Sequence, residues 1–200
     1  LGALLAVSRL IDQISNWVGR FIMWIILVVV AISAANAVVR KAFDVSSNAW
    51  LEVQWYLFAA VFMLGAGYVF LHNAHVRIDF VSSRLRARTR NWIDIVGILL
   101  VLIPFCVIMI NLSWPLFFNA LKSGETSQNA GGLIRWPVFL MMPLGFGLLL
   151  LQGISELIKR VAFLRGLIAD PIGDAEAKTD EQLLLEELAA EAEKKLAGAK

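Results

Sequence analysis

Four apolar stretches, Trp17–Val39, Trp50–Leu71, Trp92–Phe118 and Trp136–Ile158, fill most of this 200-residue chain, and each is long enough to cross a bilayer. A helix rises about 1.5 Å per residue, so roughly 20 apolar residues span the hydrocarbon. Backbone groups in hydrocarbon must be bonded within the protein, which leaves only helices and closed barrels. Barrel strands alternate apolar and polar positions, whereas these runs are continuous. The fold class that follows is all-α integral membrane: four transmembrane helices in one domain, with both termini on the same side. A chain that is 59% hydrophobic and 17% charged is too apolar for a soluble domain and too short for much beyond the spans.

Charge divides the chain further. Residues 1–169 carry fourteen Lys/Arg against seven Asp/Glu, and residues 170–200 carry four against nine. On one side of the membrane lie Arg9, Arg20, Arg77, Arg84, Arg86, Arg88, Arg90, Lys159, Arg160 and Arg165; on the other lie Arg40, Lys41, Lys122 and Arg135. The positive-inside bias places both termini and the Arg-rich loop in the cytoplasm. Basic charge on such a domain reports topology and contact with anionic lipid, so no nucleic-acid partner is inferred. Trp17, Trp50, Trp92 and Trp136 open the spans as interfacial anchors.

Residues 1–16 do not resemble a cleavable signal. Leu4, Val7, Ile11 and Ile14 recur opposite Ser8, Arg9, Asp12 and Gln13, which predicts an amphipathic helix in the interface. The four-span domain then covers 17–165 and an acidic cytoplasmic tail covers 166–200, where Thr179-Asp180-Glu181-Gln182 resembles a capping box but the acidic composition favours a solvated, partly disordered tail over a helix. Ser47 or Asn48 suits the cap of the second span, and Asn91 with Asp94 that of the third. Pro104, Pro115 and Pro143 predict kinks. Ala31, Ala35, Gly65, Gly67, Gly145 and Gly147 permit close helix approach, within the bundle or against another protein.

Chemistry is sparse. A charge at mid-depth is expensive and marks function, yet the span centres are nearly bare. Glu52, Asp94 and Glu156 sit near span ends, where headgroups or water are within reach. His72, His75 and Asp79 have a spacing that suits a metal but enter an Arg-rich loop that repels cations, so no metal or other cofactor is assigned. No facing helix supplies a second histidine for bis-histidine haem. Neither a phosphate-binding Gly-Lys-Ser/Thr loop nor a convergent Ser/His/Asp set is present, so the chain is read as not an enzyme. The single Cys106 excludes an internal disulfide and reads as packing.

Taken in order, Trp50-Leu51-Glu52-Val53-Gln54-Trp55-Tyr56-Leu57-Phe58, Leu64-Gly65-Ala66-Gly67-Tyr68, His75-Val76-Arg77-Ile78-Asp79, Gly124-Glu125-Thr126-Ser127, Trp136-Pro137 and Pro143-Leu144-Gly145-Phe146 resemble the small membrane subunit of tripartite ATP-independent periplasmic (TRAP) transporters. The resemblance runs over about 15–160. It departs at Val53, where the family often has a second acid, and it does not extend to 170–200. It implies a scaffold chain that braces a large elevator-type permease in a sodium-driven symport system. A periplasmic solute-binding protein would deliver organic acids or similar solutes.

Within that reading Glu52, Trp55 and Tyr56 are the partner-interface candidates, and Gly124, Glu125, Thr126 and Ser127 are candidates for contact with the binding protein. His75, Arg77 and Asp79 form a polar cluster at the cytoplasmic turn. Arg84, Arg86, Arg88 and Arg90 lie on lipid headgroups. The alternative is the haem- or quinone-binding membrane anchor of a respiratory oxidoreductase.

Overall fold

The computed structural model describes residues 2–43, 47–73, 85–129 and 131–171. Four helices are long and apolar enough to cross a membrane: α1 (Gly2–Phe43), α2 (Asn48–Leu71), α3 (Ala87–Ser123) and α4 (Trp136–Leu164). Among the described residues there is no strand, only an isolated antiparallel bridge between Thr126 and Ile134. The all-helical, four-span reading therefore holds. The acidic tail beyond 171 and the cluster of His75, Arg77 and Asp79 lie outside the described residues, as does Arg84.

α1 runs unbroken for 42 residues. It contains no proline, and Arg40 and Lys41 in its last turn complement the negative end of its dipole. The expected interfacial segment 1–16 is thus continuous with the first span from Gly2 onward. Part of its polar side is turned inward: Ser8 is buried and Asp12 half-buried, whereas Arg9 and Gln13 are exposed, as are Leu4, Val7 and Ile14, while Ile11 is buried. α2 begins after Ser47, which holds the extended N-cap backbone without a side-chain capping bond. The cap expected at Asn91 is displaced, because α3 already starts at Ala87 and Asn91 Nδ2 reaches back to the Ala87 carbonyl at 2.9 Å.

α3 changes geometry in mid-course. Its first segment, Ala87–Gly97, passes through a π turn at Ile98–Leu102 into Ile103–Ser123. Pro104 follows directly and cannot donate a backbone hydrogen bond. The Ile103 N–H reaches Ile98 O, five residues back, so the wide turn takes up a register that an ideal helix would lose here.

α4 is the central element and touches each of the other three helices, while α2 also packs on α1. Small residues set these approaches. A Cβ on Gly145 would lie 2.5 Å from the Met63 carbonyl oxygen, so α2 and α4 cross nearly backbone to backbone. Gly67 repeats the contact one turn on, 3.3 Å from Leu148 O, and Gly19 receives the Tyr68 ring where α1 meets α2. Gly153 faces Leu102 and Ile98 of the π turn. Gly147, in contrast, has nothing within 4 Å of its would-be Cβ, and Ala31 and Ala35 are exposed. Trp17, Trp24, Phe62 and Leu100 are also exposed, as suits a chain whose solvent is lipid.

Candidate functional site

The two ends of the bundle hold separate polar assemblies. At the end where α2 begins and α3 stops, residues 124–129 and 131–135 form the two sides of a small hairpin. Gly124 leaves α3 in the left-handed region, at φ 60°, with its N–H on Ala120 O at 3.1 Å, the usual exit for a helix. Ser127 N donates to Leu133 O at 2.9 Å and Arg135 N to Glu125 O at 3.0 Å. The turn requires Gly131 at φ 73°, and Gly132 has no room for a side chain, since a Cβ would stand 2.6 Å from that of Ser127.

Glu52 joins this hairpin to α2. One turn into the helix, its side chain is only 2% exposed. Asn129 Nδ2 donates to Oε1 at 2.8 Å and Leu133 N donates to Oε2 at 2.7 Å. A carboxylate at the edge of an apolar helix is costly unless donors meet it, and here the chain supplies them itself. The expectation that Glu52 reaches headgroups or water is therefore corrected. Trp55, at 60% exposure, stands outside, and Tyr56 is half-buried. Glu52, Trp55, Tyr56, Ser127, Asn129 and Arg135 border a recess of about 540 Å³. Arg135 pairs with Glu125 at 3.4 Å and lies 5.1 Å above the Phe139 ring. Gly124, Glu125 and Thr126 remain exposed on the hairpin's outer side.

The opposite end holds a larger network that the sequence reading did not anticipate. On α1, Ser8, Asp12 and Ser15 form a stripe at helical spacing; on α4, Gln152, Ser155, Glu156 and Lys159 form its complement. Asp12 Oδ1 accepts from Gln152 Nε2 at 2.9 Å and Ser155 Oγ at 2.8 Å, while Lys159 Nζ reaches Oδ2 at 3.1 Å. Ser15 Oγ donates to Gln152 Oε1 at 2.7 Å. Glu156 is clasped by Lys159 and Arg160 of its own helix. Arg160, 1% exposed, extends the network to α3 by donating from Nε to Asp94 Oδ2 at 3.2 Å. Glu156 is thus inside the bundle and not at the headgroups, because cations lie one turn away on the same face. The matching polar periods on α1 and α4 were the available signal.

Beyond α4 the chain folds back. Gly166 at φ 72° closes the helix, with Leu167 N on Ala162 O at 3.0 Å. Asp170 then receives Arg90 at 3.1 Å and Asn91 Nδ2 at 3.0 Å. Of the arginines read as headgroup ligands, Arg86 and Arg88 are exposed, whereas Arg90 is engaged with Asp170. His72 Nε2 lies 2.8 Å from Asn16 Oδ1. Among the described residues no group of three or more His, Cys, Asp or Glu side chains is placed to hold a metal ion. Cys106 is fully buried.

Compared with known proteins, residues 29–163 match the family described as tripartite ATP-independent periplasmic transporters, DctQ component. No curated protein and no solved structure shows a significant match.

Proposed function

The chain belongs to the DctQ-component family of tripartite ATP-independent periplasmic transporters, and from that premise we propose that this small membrane subunit is a scaffold and carries no solute or ion itself. In this reading it braces a large elevator-type permease in a bacterial inner membrane, with both termini cytoplasmic. The assembled system imports organic acids or similar solutes, driven by sodium and supplied by a periplasmic solute-binding protein. The family match gives no support to the respiratory-anchor alternative.

One observation carries the scaffold reading. Among the described residues, the buried ionisable groups Glu52, Glu156 and Arg160 are each bound within the chain, to the hairpin or across helices. Charge inside a membrane protein that serves transport faces a water-filled path or a ligand; here it ties helices together. A bundle braced by internal salt bridges suits a part that stays still while a neighbour moves.

Partner contact is assigned to the end bearing the hairpin. Trp55 and Tyr56 border the recess next to the exposed side of residues 124–127, so one surface offers aromatic anchors and a polar rim, the usual composition of an interface. Trp55 and Tyr56 are proposed to meet the large subunit, and Gly124, Glu125, Thr126 and Ser127 the binding protein. Glu52 acts by fixing the hairpin between them. Arg86 and Arg88 rest on anionic headgroups on the other side of the membrane.

Purification in mild detergent with mass identification of companion chains tests the proposal. A many-span permease is expected in stoichiometric yield, and Trp55→Ala should lower that yield. Purification of the chain alone from cells that hold the whole system would count against the scaffold.

A further inference from the structure

A second recess, about 380 Å³, opens between the last turn of α2, the π turn of α3 and α4. Its walls are apolar: Phe70, Ile98, Val101 and Leu102. Gly97 also lines it, and a Cβ there would meet no atom within 4 Å. The slot therefore stays open partly because this position lacks a side chain. Ile93 and Val101 at its edge are more than half exposed, so it faces the surroundings of the bundle.

The polar end of the slot is Asp94 with Arg160. Both bonds from Arg160, at 3.2 Å from Nε and 3.1 Å from Nη2, land on Asp94 Oδ2. Asp94 Oδ1 has no hydrogen-bond partner among the described residues. The cluster that Asp94 belongs to joins three carboxylates, Asp12, Asp94 and Glu156, to two cations, Lys159 and Arg160. Among the described residues of this cluster one negative charge is left over, and Asp94 is the carboxylate at the slot. Its side chain is 23% exposed, against 4% for Glu156.

We propose that this slot binds a phosphatidylethanolamine molecule, with one acyl chain along Gly97–Leu102 and the headgroup ammonium donating to Asp94 Oδ1. The phosphate, joined to the ammonium by only two carbons, lies beside Asp94 at the mouth of the slot, where the glycerol connects it to the acyl chain. Apolar fit alone cannot choose this lipid, because the slot and the bilayer are equally greasy. The choice is made by charge: the excess carboxylate and its spare lone pairs favour a cationic N–H donor. Phosphatidylglycerol offers Asp94 only neutral hydroxyl donors and carries a net negative charge. This inference needs α3 to lie in a bilayer but does not depend on the scaffold role.

The full chain, reconstituted in nanodiscs of equal phosphatidylethanolamine and phosphatidylglycerol and released for native mass spectrometry, tests it. The expected result is one retained lipid per chain, with phosphatidylethanolamine favoured about tenfold. Gly97→Leu, whose Cβ would meet no atom within 4 Å, puts a side chain into the slot and should cut retention about tenfold. Gly147→Leu, at an equally open glycine outside the slot, should leave it unchanged. Asp94→Asn should keep a lipid but erase the headgroup preference. No retained lipid, a preference for phosphatidylglycerol, or equal retention in Gly97→Leu and Gly147→Leu would overturn the proposal.

Discussion

Gly145 and Gly147 are two residues apart on one helix yet have opposite duties. A Cβ on Gly145 would stand 2.5 Å from a backbone oxygen of α2, an atom that cannot turn aside. Gly145→Ala should therefore cost about 1–3 kcal/mol as an overpacked contact. Gly147→Ala should be neutral or slightly stabilising through helix propensity. Melting of the two variants in detergent checks the pair, and equal melting temperatures would refute this account of the crossing. Glu52 acts at the same scale. Glu52→Gln weakens a charge-assisted acceptor and puts an amide donor beside the Leu133 N–H or the Asn129 amide. Amide exchange at Leu133 should rise in this variant and stay at the wild-type rate in Glu125→Gln, whose side chain is exposed. That small residues permit close approach was legible in the sequence. Which of them meet inside the bundle was not, since Gly145 and Gly147 have the same local chemistry and differ only in what faces them.

At the scale of elements, apolar length and the absence of proline made α1 and α2 readable, and Pro104 marked the place where α3 departs from ideal geometry. Ser8 and Asp12, read as part of an interfacial polar face, meet α4 instead, for a physical reason. A polar face repeats every 3.6 residues whether it meets water or a second polar face, and only the matching stripe Gln152, Ser155, Glu156 and Lys159 on α4 distinguishes the two. The Asp94–Arg160–Glu156 junction joins α3 to α4 with Arg160 and Glu156 buried. Removing one member strands the others, so Arg160→Leu should cost about 3–5 kcal/mol. The double change Glu156→Leu with Arg160→Leu should cost less than the single one, because it removes one charge of each sign. Thermal melting of both variants checks this, and a double variant as unstable as the sum of its parts would show that the pair is not coupled.

Over the whole molecule, four spans and membership of the transporter family were both within reach of the sequence, because apolar runs and a set of ordered motifs survive without any knowledge of contacts. The attachment of the hairpin through Glu52 and the ionic junction at the other end were not, because each depends on groups about 65 to 150 positions apart. Together they give a bundle tied at both ends by polar bonds, with an apolar exterior. Such a body suits bracing better than conduction. Solute accumulation in proteoliposomes under a sodium gradient tests that claim most directly. Vesicles holding this chain alone, or the large subunit and binding protein without it, are expected to accumulate no solute, while all three components together should accumulate it. Uptake by this chain alone, or full uptake without it, would contradict the scaffold account.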